Sequence, residues 1–267
     1  MFDYIKEMVD DFTKINPTTK TSPNPEASHL FKLNEEAEIL DIKRAQTFHT
    51  YVAQALFTTK RSCPDIHTAV AFLATRVMTP DEDDWKKLLR MINYLRGTLE
   101  LPLALQASNT NIMKWWVDGS YGIHPDCKSQ TGGTQSLRNG SIISSSTKQK
   151  LNTRSSNETE LVAAYDLMPQ LFWTNYFLGG QDYGINGTII YQDNQSAILL
   201  DNNGKRSSSK CTKHINIRYF FITGRIKHGE LNIEYCPTDD MVAEFFNDPL
   251  QGKKFLQFRM TMMNLPD

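Results

Sequence analysis

Two runs of this chain end a strand-like stretch on an acid. Lys114-Trp115-Trp116-Val117-Asp118 is followed by Gly119 and Gly122, and Ile189-Ile190-Tyr191-Gln192-Asp193 passes straight into a short apolar helix over Asn194–Leu200. An aspartate so placed sits at the rim of a sheet and faces the crevice beyond the strand ends, where α/β sheets bind ligands. Further acids stand near helix starts: Glu158 and Glu160 just after Ser155-Ser156-Asn157, and Glu244 after Pro237-Thr238-Asp239-Asp240. Carboxylates gathered at one point repel unless a cation neutralises them, and hard oxygens on rigid elements suit Mg²⁺. Two such ions about 4 Å apart activate a water and stabilise the departing oxygen of a phosphodiester. Each acid also has a plainer reading. Asp193 could cap the helix that follows it, and Glu158 and Glu160 could simply be anions favoured by a helix dipole.

The elements that must position these acids change character along the chain. Ala45-Phe48-Tyr51-Val52-Ala55-Leu56 keeps helical spacing, and Ile66 to Met78 repeats it after Pro64-Asp65. Thr79-Pro80-Asp81-Glu82-Asp83-Asp84 has cap, proline and acids in the order a helix start prefers, and Trp85 to Leu95 carries the apolar face onward. Between them and the N-terminal stretch Phe2–Phe12, the Pro/Thr/Ser/Asn-rich segment 16–28 reads as a surface linker. After Gly97 the period becomes alternating. Thr131–Leu137 and Ser141–Thr147 read as half-exposed antiparallel strands joined at Arg138-Asn139-Gly140, whose Asn-Gly pair is a strong hairpin signal. The helix opened at Ser155 has the capping-box spacing, with Leu161, Ala164, Tyr165, Met168, Leu171, Phe172 and Phe177 on one face and a kink expected at Pro169. A loop over 202–211, a helix from about Thr212 to His228, a last strand over Glu230–Tyr235, a helix opening at Pro237 and a terminal helix over Phe255–Leu265 complete the order. Helices followed by β-β-β-α-β-α-α-β-α fit a mixed sheet covered by helices.

Composition narrows the classes. The 267 residues, 40% hydrophobic and 22% charged, can bury one large core or two modest ones. A formal net charge of −1 supplies no whole-protein field to draw in a polyanion, so a nucleic-acid surface must come from local clustering. Two acid-free stretches provide it: Lys128 to Arg154, with Arg138, Lys148 and Lys150, and Lys205 to His228, with Lys205, Arg206, Lys210, Lys213, Arg218, Arg225 and Lys227. Such stretches are more often solvated surface; here they flank the acids and could contact phosphates. Cys63, Cys127, Cys211 and Cys236 are widely spread and read as reduced thiols rather than a disulfide or zinc framework. With acids in Met1–Phe12 and no apolar run near 20 residues, the expectation is an intracellular protein, cytoplasmic or nuclear, neither secreted nor in a membrane.

From Lys114 onward several blocks resemble, in one order, the ribonuclease H domain of copia-type retrotransposon polyproteins. They are Val117-Asp118-Gly119-Ser120, Ser145–Lys150, Ser155-Ser156-Asn157-Glu158-Thr159-Glu160-Leu161, Gln192–Ala197, Thr212–Phe220 and Glu234–Glu244. Upstream, Arg61-Ser62-Cys63-Pro64-Asp65-Ile66 and Trp85 through Thr98 resemble the tail of that family's reverse transcriptase. The family's Tyr-x-Asp-Asp polymerase turn does not occur. The resemblance implies an α/β fold, a ribonuclease H-like mixed five-stranded sheet flanked by helices and preceded by a helical reverse-transcriptase connection region. Its expected parts are a helical thumb- or connection-like tail over 1–110, a ribonuclease H-like domain over 111–251 and a C-terminal helix over 252–267.

Carried across residue by residue, the resemblance puts the family's metal ligands on Asp118, Glu160 (rather than Glu158), Asp193 and Glu244. They would hold two Mg²⁺ ions, with Mn²⁺ able to substitute. It implies cleavage of the RNA strand of RNA–DNA hybrids, phosphate contacts from Lys148, Lys150, Arg154, Lys205, Arg206, Lys210 and Lys213, and the polymerase part of the parent polyprotein as a partner. Three departures stand out. Glu244 replaces an aspartate, adding a methylene to a ligand; Asn247-Asp248 replaces Thr-Lys before Pro249-Leu250; and Asn216 replaces an aspartate. Metal sites tolerate misplacement of only about half an ångström, so an inactive copy that binds nucleic acid without cutting is the alternative. An Asp-Asp-Glu integrase, the third reading, has no counterpart to Glu160. His214, near a helix start, stays outside the catalytic set.

Overall fold

Five extended runs assemble into one mixed sheet in the computed structural model, which describes residues 1–107, 111–203 and 221–266. In chain order the elements are α1 (Phe2–Ile15), α2 (Ile42–Thr59), α3 (His67–Ala74), α4 (Glu82–Gly97), β1 (Ile112–Ser120), β2 (Gln130–Ser136), β3 (Ile143–Lys148), α5 (Ser156–Gly180), β4 (Gly187–Gln192), α6 (Gln195–Asn203), β5 (Asn232–Tyr235) and α7 (Gly252–Met263). Short 3-10 turns cover Pro64–Ile66, Thr238–Asp240 and Val242–Phe246, and residues 221–227 are helical. Two units result, Met1–Ala104 with Asp248–Asp267, and Leu105–Asn247. Among the described residues, no helix is long and apolar enough to cross a membrane.

The helical unit forms where periodicity demands it. Ile5, Met8, Val9 and Phe12 form the buried stripe of α1, and Phe48, Tyr51, Val52 and Ala55 that of α2. At the start of α4, Asp81 accepts from the backbone of Asp83 and Asp84 while Asp84 accepts from Asp81, a reciprocal capping box. Three expectations shift. The helix expected over 66–78 ends at Ala74, because the backbone and hydroxyl of Thr75 both turn back to the carbonyl of Phe72 and Arg76 is drawn to Asp84 and Asp81. The 16–28 segment is not wholly a surface linker. Asn24 and Glu26 are buried, the Asn24 amide donates to the carbonyl of Leu250, and Gln251 donates to that of Glu26. α7 starts at Gly252, earlier than the expected Phe255, and packs the Phe255 ring against Tyr94.

The sheet unit has the order β3-β2-β1-β4-β5. β1, β2 and β3 pair antiparallel, as the Asn-Gly hairpin signal requires, while β4 and β5 run parallel to β1. Parallel neighbours need a crossover, and α5 provides it between β3 and β4. One face of β1 (Met113, Trp115, Val117) packs on Leu161, Ala164, Met168 and Leu171 of α5. Truncating such a leucine costs about 2–5 kcal/mol. α5 runs on through Pro169.

Three expectations are corrected here. β2 is buried along its whole length rather than half exposed, because it is covered from both sides. A side chain at Gly133 would strike Leu167 of α5, and one at Gly132 would strike the carbonyl of Ala243. Phe177 lies outside the buried face of α5, 51% exposed, since helical drift carries it past the core. The helix expected at Pro237 is two short 3-10 turns instead.

Candidate functional site

The carboxyl ends of β1 and β4 lie side by side by register. The last registered pair is Trp116 opposite Tyr191, with their rings stacked at 5.2 Å. Asp118 and Asp193 each lie two residues further on, so the parallel pairing carries both to the same edge. Gly119 brings in the third acid. With no side chain there, the first turn of α5 settles onto β1, where an added Cβ would meet Thr159 at 2.8 Å. The next residue is Glu160. One carboxylate oxygen from each of Asp118, Glu160 and Asp193 then lies within 4.8 Å of the others. Glu158 takes the capping role instead, accepting from the backbone of Arg154 at 2.8 Å while its own backbone donates to Ser155.

Each carboxylate accepts from a neutral side chain. The Asn247 amide donates to Oδ2 of Asp118 at 2.8 Å, the Thr238 hydroxyl to Oδ2 of Asp193 at 2.9 Å, and the Gln192 amide to Oε2 of Glu160 at 3.4 Å. Such partners fix the orientation of ligating groups. Behind the cluster, Ser129, Thr153 and Thr159 form a closed triangle of hydroxyls at 2.6–3.1 Å. The Gln149 amide ties Thr131 to the Thr159 carbonyl. The buried polar scaffold is thus built from the residues flanking β2 and β3 and from the start of α5, while β3 itself is partly exposed.

Like charges in a buried setting keep a proton. Glu160, 5% exposed, is held well above the usual carboxylate range by burial first, then by the charge and hydrogen bond of Asp118 and the charge of Asp193, against the Gln192 amide. Asp118 is also raised by burial, with the Asn247 hydrogen bond opposing and the charge of Asp193 adding to it. Both carboxyls are raised together, so the pair keeps a proton to higher pH than an isolated carboxyl would.

The other expected residues fall as follows. Glu244, in the turn Val242–Phe246, does not belong to the three-carboxylate group, although one of its oxygens is buried. Lys148 pairs with Asp126 at 2.9 Å. Lys148 and Lys150 line a groove of about 420 Å³ with Thr131, Ser145, Thr147 and Asp166. Arg154 is exposed. Lys205, Arg206, Lys210, Lys213 and His214 lie outside the described residues, as do residues 204–211 of the loop expected over 202–211 and residues 212–220 of the helix expected over 212–228; residues 202–203 belong to α6 instead. Sequence reasoning misses Asn247, Gln192 and Thr238 as carboxylate partners. Asn247 stands out in the sequence only as a departure from the family resemblance.

The donor set suits a hard divalent cation. It offers only oxygens from three separate elements, with excess negative charge that a cation would neutralise. Near it two buried amide oxygens, Oδ1 of Asn247 and Oε1 of Gln192, accept no hydrogen bond among the described residues.

No protein-family model matches the chain. It is 26% identical over 260 residues to the retrovirus-related Pol polyprotein from transposon TNT 1-94 of Nicotiana tabacum, covering 94% of this chain and 19% of that protein. It is 32% identical over 199 residues to the Pol polyprotein from transposon RE1 of Arabidopsis thaliana, covering 73% and 13%. The chain thus spans less than a fifth of the length of these relatives. Among solved structures, the ribonuclease H1 LC11 isolated from compost aligns at TM-score 0.39 and 12% identity, over 51% of this chain and 93% of that one.

Proposed function

The chain belongs to the family of copia-type retrotransposon Pol polyproteins, and from that premise we propose that its sheet unit cleaves the RNA strand of RNA–DNA hybrids with a divalent cation. The observation that carries this reading is the meeting of Asp118, Glu160 and Asp193, 75 residues apart at the extremes, within 4.8 Å. Mg²⁺ or Mn²⁺ held there would supply an activated water and neutralise the leaving oxygen.

The chain's own side chains do the rest. Asp118 and Asp193 present oxygens from the ends of two adjacent parallel strands, and the Asn247 amide and Thr238 hydroxyl fix which oxygen each presents. Glu160 would lose its proton to solvent on joining Asp118 and Asp193 in holding a cation, which would supply the neutralising charge instead. Lys148, Lys150 and Arg154 contact phosphates on one flank, with Lys205, Arg206, Lys210 and Lys213 proposed for the other. A hybrid would be recognised by backbone shape and 2′-hydroxyls rather than by base edges. The helical unit is read as the reverse transcriptase tail, and the polymerase part of the parent polyprotein as its partner.

An end-labelled hybrid incubated with the chain and Mg²⁺ or Mn²⁺ tests the reading. RNA-strand cleavage that disappears in Asp118→Asn is the expected result, and cleavage that survives that change sinks it. One observation favours a second reading. Glu244, the fourth ligand implied by the resemblance, is outside the three-carboxylate group, as in a domain that binds hybrid without cutting. That reading expects salt-sensitive binding and no cleavage, with activity recovered in Glu244→Asp if the longer side chain is the lesion.

A further inference from the structure

Asn247 is fully buried, at 0% exposure, and its surroundings leave it little freedom. A Cβ added at Gly132 would come within 3.0 Å of its backbone nitrogen and 3.1 Å of its Cβ, so β2 lies directly against it. Its amide orientation follows from its partner. A carboxylate only accepts, so the group facing Oδ2 of Asp118 at 2.8 Å must be the NH₂. The amide oxygen on the same carbon then lies at most about 5.4 Å from that carboxylate oxygen. This Oδ1 is buried and accepts no hydrogen bond among the described residues. A buried carbonyl oxygen without a donor costs about 1–3 kcal/mol, and such atoms beside a charged site call for a water or an ion.

We propose that Asn247, rather than Glu244, is the fourth oxygen donor of the centre. Its NH₂ holds Asp118 in place and its Oδ1 is presented to a divalent cation shared with Asp118, Glu160 and Asp193. The inference rests on the metal-centre reading above and adds a residue to it. Amide oxygens are ordinary ligands for hard cations, and a neutral donor adds no fourth negative charge to three acids that already repel one another. The rival is Glu244, whose turn, Val242–Phe246, ends one residue before Asn247. Its carboxylate is not among those that converge within 4.8 Å.

The test uses Mn²⁺ alone with the whole chain. Electron paramagnetic resonance of free Mn²⁺ gives the dissociation constant, and thermal unfolding without metal gives the state of the fold. Asn247→Ala is expected to weaken Mn²⁺ binding at least fivefold. Asn247→Asp keeps the shape, trades the neutral oxygen for a charged one and sets a fourth acid against Asp118. It is expected to unfold at lower temperature without metal yet bind Mn²⁺ more tightly than the parent. A residue that only fills space would lower the unfolding temperature in Asn247→Asp without tightening Mn²⁺ binding, and that outcome overturns the assignment. So does a loss of Mn²⁺ affinity in Glu244→Gln larger than that in Asn247→Ala. If hybrids are not cut but Mn²⁺ binding follows the Asn247 pattern, only the nuclease reading falls. A parent chain that binds no Mn²⁺ overturns both.

Discussion

Both units bury acids, and they do so in opposite company. In the helical unit Asp65 and Glu26 are each 3% exposed. Asp65 accepts from the Tyr94 hydroxyl at 2.5 Å, and Arg259 donates to the same hydroxyl at 3.2 Å. Burial and the charge of Asp65 raise Glu26 well above the usual range, while the charge of Arg90 opposes. Asp65 is raised by burial, against Tyr94 and the charge of Arg259. In the sheet unit the carboxyl groups of Asp118 and Glu160 are raised by burial and by neighbouring carboxylates, and among the described residues what opposes the rise is hydrogen-bond dipoles rather than a cation. A shifted carboxylate alone therefore marks no site. What separates a packed polar core from a centre that can hold a cation is whether positive charge is already built into the neighbourhood.

The largest expected effect comes from neutralising one acid of the sheet unit. Asp118→Asn should cut hybrid cleavage on the order of a thousandfold, yet raise the unfolding temperature measured without divalent ions, because it removes a like charge from the cluster. The same experiment on the helical unit should go the other way. Tyr94→Phe removes the donor to a buried carboxylate and the acceptor of Arg259, and should lower stability by about 1–3 kcal/mol in urea unfolding while leaving cleavage intact. A Tyr94→Phe chain as stable as the parent would break the contrast.

How much of this is legible in the sequence depends on what each feature needs. The positions of Asp118 and Asp193 can be read because an acid ending a β-branched or aromatic run is a local pattern, whereas Glu158 and Glu160 both fit a helix start and only the family resemblance selects Glu160. Asn139-Gly140 announces the antiparallel hairpin. The partners of the carboxylates are not legible. Asn247 meets Asp118 across 129 positions, and nothing in the residues around it signals that approach except Gly132, whose missing side chain leaves room for it. The burial of β2 is hidden for a related reason. Its serines, threonines and glutamines look solvated in sequence, and their partners inside are distant or across the sheet: Gln130 with Ser146, Thr131 with Gln149, Thr134 with Ser141 and Gln135 with Thr174. The short turns at 238–246 escape because a helix-opening motif fixes a start but not a length.

Acidity sharpens the comparison next. Glu160 holds its proton in the folded chain at pH values where the unfolded chain, with a carboxyl near about 4.3, has lost it. The folded state binds more protons in that window, so this contribution is fully present below about pH 4.3 and is lost as pH rises through the raised folded value. Glu26 carries the same sign. Saturating Mn²⁺ should abolish the share due to Glu160, since the cation displaces the proton, and should leave the share due to Glu26 untouched. Unfolding temperatures recorded from about pH 5 to 8, with and without Mn²⁺, in the parent and in Glu26→Gln, separate the two. A Glu26→Gln chain that removes the Mn²⁺-sensitive part of the slope would contradict the assignment of that part to the sheet unit.

The smallest effect lies at the rim, where charge meets solvent. Lys148 is paired with Asp126 at 2.9 Å, with side chains 28% and 47% exposed. Exposed pairs of this kind contribute about 0–1 kcal/mol, so Lys148→Ala should leave the unfolding temperature within the error of the measurement. Its consequence is expected in binding instead. Removing one phosphate-binding cation lowers the slope of log affinity against log salt by about one, so Lys148→Ala should bind a hybrid several-fold more weakly at low salt and converge on the parent as salt rises. Asp126→Asn discriminates between the two roles of this lysine. If the ion pair holds Lys148 away from nucleic acid, releasing it should tighten binding at low salt. If the pair orients Lys148 toward phosphate, the same change should weaken it, and an affinity unmoved by either substitution would take Lys148 out of the hybrid surface.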